Sequence, residues 1–190
     1  MSAERKRRRR VRVPAAAIVA STLLALAVTA CGGSSQVSAA AYVKSICTSL
    51  GGWKQQVQSA GQTLQASGIA TASPANAKKQ YVHFVSTLLT ATRNTTGSLK
   101  TAGTPAVKDG GAIASGLSGA FERGSQGLAT ALSHASAIPT TSVSAFGSAA
   151  TGVTTEIRSA LQNIAAITPR SSSQLRAAAL KEPSCRSLAG

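Results

Sequence analysis

Acidic side chains are the scarcest chemistry in this chain. Of 190 residues only five are Asp or Glu, and setting aside Glu4 in the basic N-terminal segment leaves Asp109, Glu122, Glu156 and Glu182. Glycosidase chemistry needs two carboxylates facing across a cleft. Here the only pair on neighbouring segments, Glu122 and Glu156, stands beside Arg123 and Arg158, which points to exposed ion pairing. Histidine is equally sparse, with His83 and His134 alone. Neither follows a Glu by three residues, the spacing of carboxylate-histidine metal sites in helical bundles. No Cys-x-x-Cys-His string attaches a haem. The Gly-x-Ser-x-Gly signature of many serine hydrolases is missing too, Gly116-Leu117-Ser118-Gly119 being a partial echo on an apolar helix stripe. The expectation is a non-catalytic chain with no catalytic residues, no metal and no cofactor.

Aromatics are few, with one Trp, two Tyr and three Phe. The formal charge of +15 invites a nucleic-acid reading. Seven of the twenty basic residues, however, lie between residues 5 and 12. The other thirteen are scattered without aromatic interleaving, whereas nucleic-acid readers cluster them on one face. No nucleic-acid partner is expected. Long apolar runs are also lacking. Residues 15–28 are all apolar or small hydroxyl residues, but that run is shorter than the ~20 residues a helix needs to cross a bilayer.

A basic cluster followed by a short apolar run has the layout of a secretory signal. It is followed by Val28-Thr29-Ala30-Cys31 and then Gly32-Gly33-Ser34-Ser35. This segment resembles the lipobox of bacterial lipoproteins, and the Ala-, Gly- and Arg-rich composition resembles small lipoproteins of high-GC actinobacteria. The resemblance implies lipidation of Cys31, cleavage before it, and residence on the extracytoplasmic face of the cytoplasmic membrane. More than one acyl chain gives firm anchoring where a single chain binds marginally. The chain then divides into a signal peptide (residues 1–30), a lipidated Cys with a flexible tether (31–37) and a folded domain (38–190). The route of export, general or twin-arginine, stays open.

With Cys31 assigned to lipid, Cys47 and Cys185 remain. An even number in an oxidising compartment reads as a disulfide. A bridge closing a loop of 138 residues stabilises by about 5 kcal/mol in the chain-entropy model, less any native strain.

The domain shows four stripes at alternating steps of three and four. The first is Val43, Ile46, Leu50, Trp53, Val57, Ala60 and Leu64. The second is Ala77, Tyr81, Phe84, Leu88 and Ala91, widened by Val85, Leu89 and Leu99, with Ser73 as N-cap and Pro74 as first helical residue. Thr104-Pro105 repeats that start signal, and Asp109 is a second candidate N-cap for the third stripe. That stripe runs from Ala114 through Leu117, Phe121, Gly124, Leu128, Ala131 and Ala135 to Ile138, where Pro139 stops it. The fourth runs from Val143 through Phe146, Ala150, Val153, Ile157, Ala160 and Ile164 to Ile167, with Pro169 beyond. A short fifth helix is expected over Ser173–Lys181, and no strand.

These stripes predict an all-α fold: an up-down-up-down four-helix bundle. Its short C-terminal helix and tail, carrying Cys185, are disulfide-linked to the first helix at Cys47. Against this stand ten glycines inside the stripes, Gly51, Gly52, Gly61, Gly97, Gly116, Gly119, Gly124, Gly127, Gly147 and Gly152. Each costs about 0.5 to 1 kcal/mol relative to Ala. Close helix approach, the disulfide, or a kink at Gly51-Gly52 or near Asp109-Gly110-Gly111 would accommodate them.

Residues 31–190 carry thirteen basic residues and four acids, net +9. For a membrane-tethered protein this suggests contact with anionic lipid or wall polymer. The one adjacent basic pair there, Lys78-Lys79, is the candidate focus. The alternative function is a carrier holding a small apolar ligand in the bundle interior.

Overall fold

The computed structural model describes residues 36–165, 172–186 and 188. Cys31, the signal-like segment, and Ile167 and Pro169 at the end of the fourth stripe lie outside these residues. The four stripes are four long helices, α1 (Ala39–Ala66), α2 (Pro74–Thr101), α3 (Gly110–Ala137) and α4 (Val143–Ala165). They are followed by α5 (Ser173–Lys181) and a single turn, α6 (Pro183–Arg186).

Local chemistry explains the helix starts. Ser38 Oγ accepts from the Ala41 N–H at 3.2 Å, Ser73 Oγ from Asn76 at 3.5 Å, Ser142 Oγ from Ala145 at 3.1 Å and Ser172 Oγ from Leu175 at 3.2 Å. Each satisfies one orphan donor of a first turn. Pro74 occupies the first helical position, where its missing N–H costs nothing.

Thr104-Pro105 behaves differently from Ser73-Pro74. Gly103 turns the chain at φ 79°, and Thr104–Pro105 form a two-residue strand, β2, parallel to β1 (Gln36–Val37), with Gln36 opposite Thr104. The expectation of a strand-free domain is thereby corrected, as is the helix start at Thr104. The residue before any proline is held extended; the residues after the proline decide the rest. After Pro74 come Ala-Asn-Ala-Lys-Lys, compatible with helix, whereas after Pro105 come Ala-Val-Lys-Asp-Gly-Gly. α3 therefore starts five residues later. Asp109 is its N-cap residue, in the left-handed region at φ 59° and without a side-chain capping bond. Gly110 is required there, because a Cβ would overlap the Pro105 carbonyl oxygen.

α1 packs along α2, α2 along α3 and α3 along α4. The expected tail bridge is present: Cys47 and Cys185 are disulfide-bonded with Cα atoms 4.9 Å apart. It holds α5 and α6 against α1. The core has two lobes. One, around Phe121, gathers Tyr42, Val43, Ile46, Leu99, Ile164 and Leu175 at the end where the chain enters. The other gathers Tyr81, Val85, Leu88, Leu128, Ala131, Val153 and Ile157.

The glycines divide by what they face. A Cβ at Gly124 would collide with the Ile164 side chain, and one at Gly127 would come within 2.9 Å of Ala160 Cβ. Close approach of α3 to α4 therefore requires both. Gly51, Gly52, Gly61, Gly97, Gly116, Gly147 and Gly152 have open space instead, and α1 continues as helix through Gly51-Gly52.

Candidate functional site

The residues with acid-base chemistry are dispersed on the outside of the bundle. Glu122 on α3 pairs with Lys100 on α2. Glu156 on α4 pairs with His134 Nδ1 on α3, at 2.9 and 3.0 Å to its two oxygens. Both carboxylates do pair as expected of exposed groups, but with neighbouring helices rather than with adjacent Arg123 and Arg158. These are surface ties worth about 1 kcal/mol or less. Glu182 accepts from Ser184 Oγ at 2.9 Å within the tail. Among the described residues no three His, Cys, Asp or Glu side chains converge as metal ligands do.

Lys78 is half-buried and Lys79 exposed, both in the first turns of α2. That end of the bundle also carries the α1 C-terminus, so Lys78 and Lys79 lie at the far end from Gln36. The end at which the chain enters carries exposed Lys44, Lys100, Lys108, Arg176, Lys181 and Arg186, with Asp109, Glu182 and the Lys100 partner Glu122 as its acids.

Two concavities lie where the fold departs from a closed bundle. α1 and α4, first and last of the four, are not brought together along their length as the other neighbours are. In the half near Gln36 the C-terminal segment fills this seam. Leu50, Trp53, Lys54, Leu117, Phe121, Ile164, Ala165 and Leu188 line a hollow of about 290 Å³ there. In the other half no described residue of the tail lines the seam. A groove of about 500 Å³ is lined by Gly61, Leu64 and Gln65 of α1, Tyr81 and Phe84 of α2, and Thr154, Ile157, Arg158, Leu161 and Gln162 of α4.

The groove floor is fixed by Tyr81. Its hydroxyl bonds Thr154 Oγ1 at 2.7 Å and lies 3.3 Å from the Ala150 carbonyl, tying α2 to α4 beneath the gap. Burial raises the Tyr81 pKa, the nearby Glu156 charge adds to this, and the Thr154 bond opposes it. The phenol stays protonated in the neutral range and acts as a polar strut. At the other end of the seam, the Trp53 indole N–H donates to Thr92 Oγ1 at 3.1 Å, and its ring meets Phe121 edge-on at 5.3 Å.

None of the groove residues was a candidate site residue by sequence. Leu64, Tyr81, Phe84 and Ile157 belong to the predicted stripes, which assign them to a closed interior. The legible signal was the extra width of the second stripe: α2 is buried on more than one face because it serves α1, α3 and part of α4. No protein-family model, curated protein or solved structure matches the chain.

Proposed function

We propose that the chain is a lipid-anchored lipoprotein on the extracytoplasmic face of the cytoplasmic membrane, a non-catalytic helical module that contacts envelope components or a protein partner. The observation that carries this is Val28-Thr29-Ala30-Cys31 after a basic and apolar leader, only a few residues ahead of β1. Two structural features support it. The Cys47–Cys185 bridge suits an oxidising compartment. The exposed basic residues Lys44, Lys108, Arg176, Lys181 and Arg186 share the end at which the chain enters, where anionic lipid would attract them. Lys78 and Lys79, about 35 Å away along α2, suit wall polymer or a protein rather than the anchoring bilayer.

Replacing Cys31 with Ser tests the anchor: the variant leaves the membrane fraction, and its full retention there would defeat the reading. Reversing Lys78 and Lys79 to Glu tests the far end. Binding to purified anionic wall polymer should weaken, and should weaken with salt in the unaltered protein.

The second reading, a carrier of a small apolar ligand, is favoured by one observation, the open groove between α1 and α4. It is compatible with the anchor and differs in where the function resides.

A further inference from the structure

We infer that the α1–α4 groove binds a single-chain anionic amphiphile, with the acyl chain along the apolar floor and the head group at Arg158. This rests on the carrier reading and gives it a ligand class. The floor is the part of the seam that a closed bundle would bury. Leu64 and Phe84 are half-exposed, as is Leu161, and below them Val57 and Trp53 continue the same uncovered stripe of α1. Leu161 also packs against the lower core lobe, so upper groove and lower hollow are parts of one seam.

Dimensions select the occupant. From Leu50 to Gln65 the seam runs along α1 for about 22 Å. Its two hollows, about 500 and 290 Å³, together offer less than half the roughly 1,700 Å³ that a helix 10 Å across would need over that length. An extended hydrocarbon chain is a slimmer occupant. The combined space lies within the 300–1,000 Å³ range of small-molecule sites.

Charge selects the head group. Two cations line the seam, Arg158 in the upper groove and Lys54 in the lower hollow, and among the described residues no carboxylate lines either; Arg158 is exposed. The nearest acid in sequence on α4, Glu156, is engaged by His134 of α3. A carboxylate or phosphate at the mouth would meet a planar guanidinium suited to bidentate bonding.

The test uses the Cys31→Ser chain, purified without detergent, with palmitate and its neutral counterpart 1-hexadecanol as probes. The single Trp in the sequence, Trp53, reports occupancy of the seam by its fluorescence. Palmitate is expected to bind saturably and about fivefold more tightly than 1-hexadecanol, the range of a solvent-exposed ion pair. Arg158→Gln should abolish that preference and leave 1-hexadecanol unchanged. Gly61→Phe should block both probes; open space at its Cβ lets the ring enter the groove without disturbing the helix.

Equal binding of the two probes, both blocked by Gly61→Phe, would overturn the anionic class and keep the carrier reading. Palmitate binding that survives Gly61→Phe would overturn the site. Binding of neither probe would overturn the carrier reading itself. Self-association abolished by Gly61→Phe in sedimentation, without probe binding, would reassign the groove to a second copy of the chain and overturn the proposal.

Discussion

Along α1, Tyr42, Val43 and Ile46 are buried, whereas Val57 and Leu64, flanking buried Ala60 on the same stripe, are half-exposed. The difference lies in what covers them. Beside the first group the C-terminal segment takes the place a closing helix contact would have, with Leu175 buried in the lobe around Phe121 and Cys185 bonded to Cys47. Beside the second group α4 stands off, and α2 reaches it through Tyr81. An apolar stripe thus states that a face wants cover, and the length of the chain's remaining segments decides how much of it receives any.

The comparison breaks most severely at the disulfide. Reducing it, or replacing Cys47 and Cys185 with Ser, should destabilise the domain by about 2 to 5 kcal/mol, read as a lower denaturant midpoint. Amide exchange should quicken in α5 and the first half of α1 more than in the second half, which has no tail to lose. Uniform quickening along α1 would mean that the two halves are not separately supported.

The glycines offer a smaller contrast between covered and uncovered backbone. Gly127→Leu, against Ala160, should cost about 1 to 3 kcal/mol through overpacking. Gly51→Ala with Gly52→Ala should stabilise by about 0.5 to 1 kcal/mol for each residue, because no atom crowds either Cβ. Thermal melts of the two variants should therefore move in opposite directions.

How far the sequence foretold this arrangement depends on the range of each signal. Short-range signals were legible. The Ser73-Pro74 start, the Pro139 stop and the span of α5 depend on a few adjacent residues, and cysteine parity was enough to pair Cys47 with Cys185. Thr104-Pro105 is ambiguous in sequence because an extended residue before proline serves a helix cap or a strand equally well, and the partner that decides, Gln36–Val37, is 68 residues away. The groove was illegible for a related reason. Heptad spacing identifies Leu64 and Ile157 as apolar faces but carries no measure of the distance between α1 and α4. The small residues that set how closely α4 can approach α3, Gly124 and Gly127, were visible only as a helix penalty. Lys78-Lys79 stood out as the adjacent basic pair, whereas the scattered basic residues at the other end are gathered by the fold.

The smallest expected effect compares the two tyrosines, one in each half. Burial raises the pKa of both phenols. The Tyr42 hydroxyl is buried with no hydrogen-bond partner among the described residues, whereas that of Tyr81 is bonded to Thr154. Tyr42→Phe removes a desolvated polar atom and should leave stability at neutral pH unchanged or raise it by up to about 1 kcal/mol; Tyr81→Phe breaks a strut and should cost about 0.5 to 1.5 kcal/mol. A phenol with a raised folded-state pKa keeps its proton in the folded chain after the unfolded chain has lost it. Its contribution is therefore complete below the ordinary tyrosine value of about 10 and declines as pH rises through the folded value. Stability should be flat with respect to these groups from neutral pH to about 9 and fall above 10, and Tyr42→Phe should make that alkaline fall shallower. If Tyr42→Phe instead destabilised the protein at neutral pH as much as Tyr81→Phe, the hydroxyl in the covered half would be bonded, and the two halves would differ in cover alone and not in how their polar groups are satisfied.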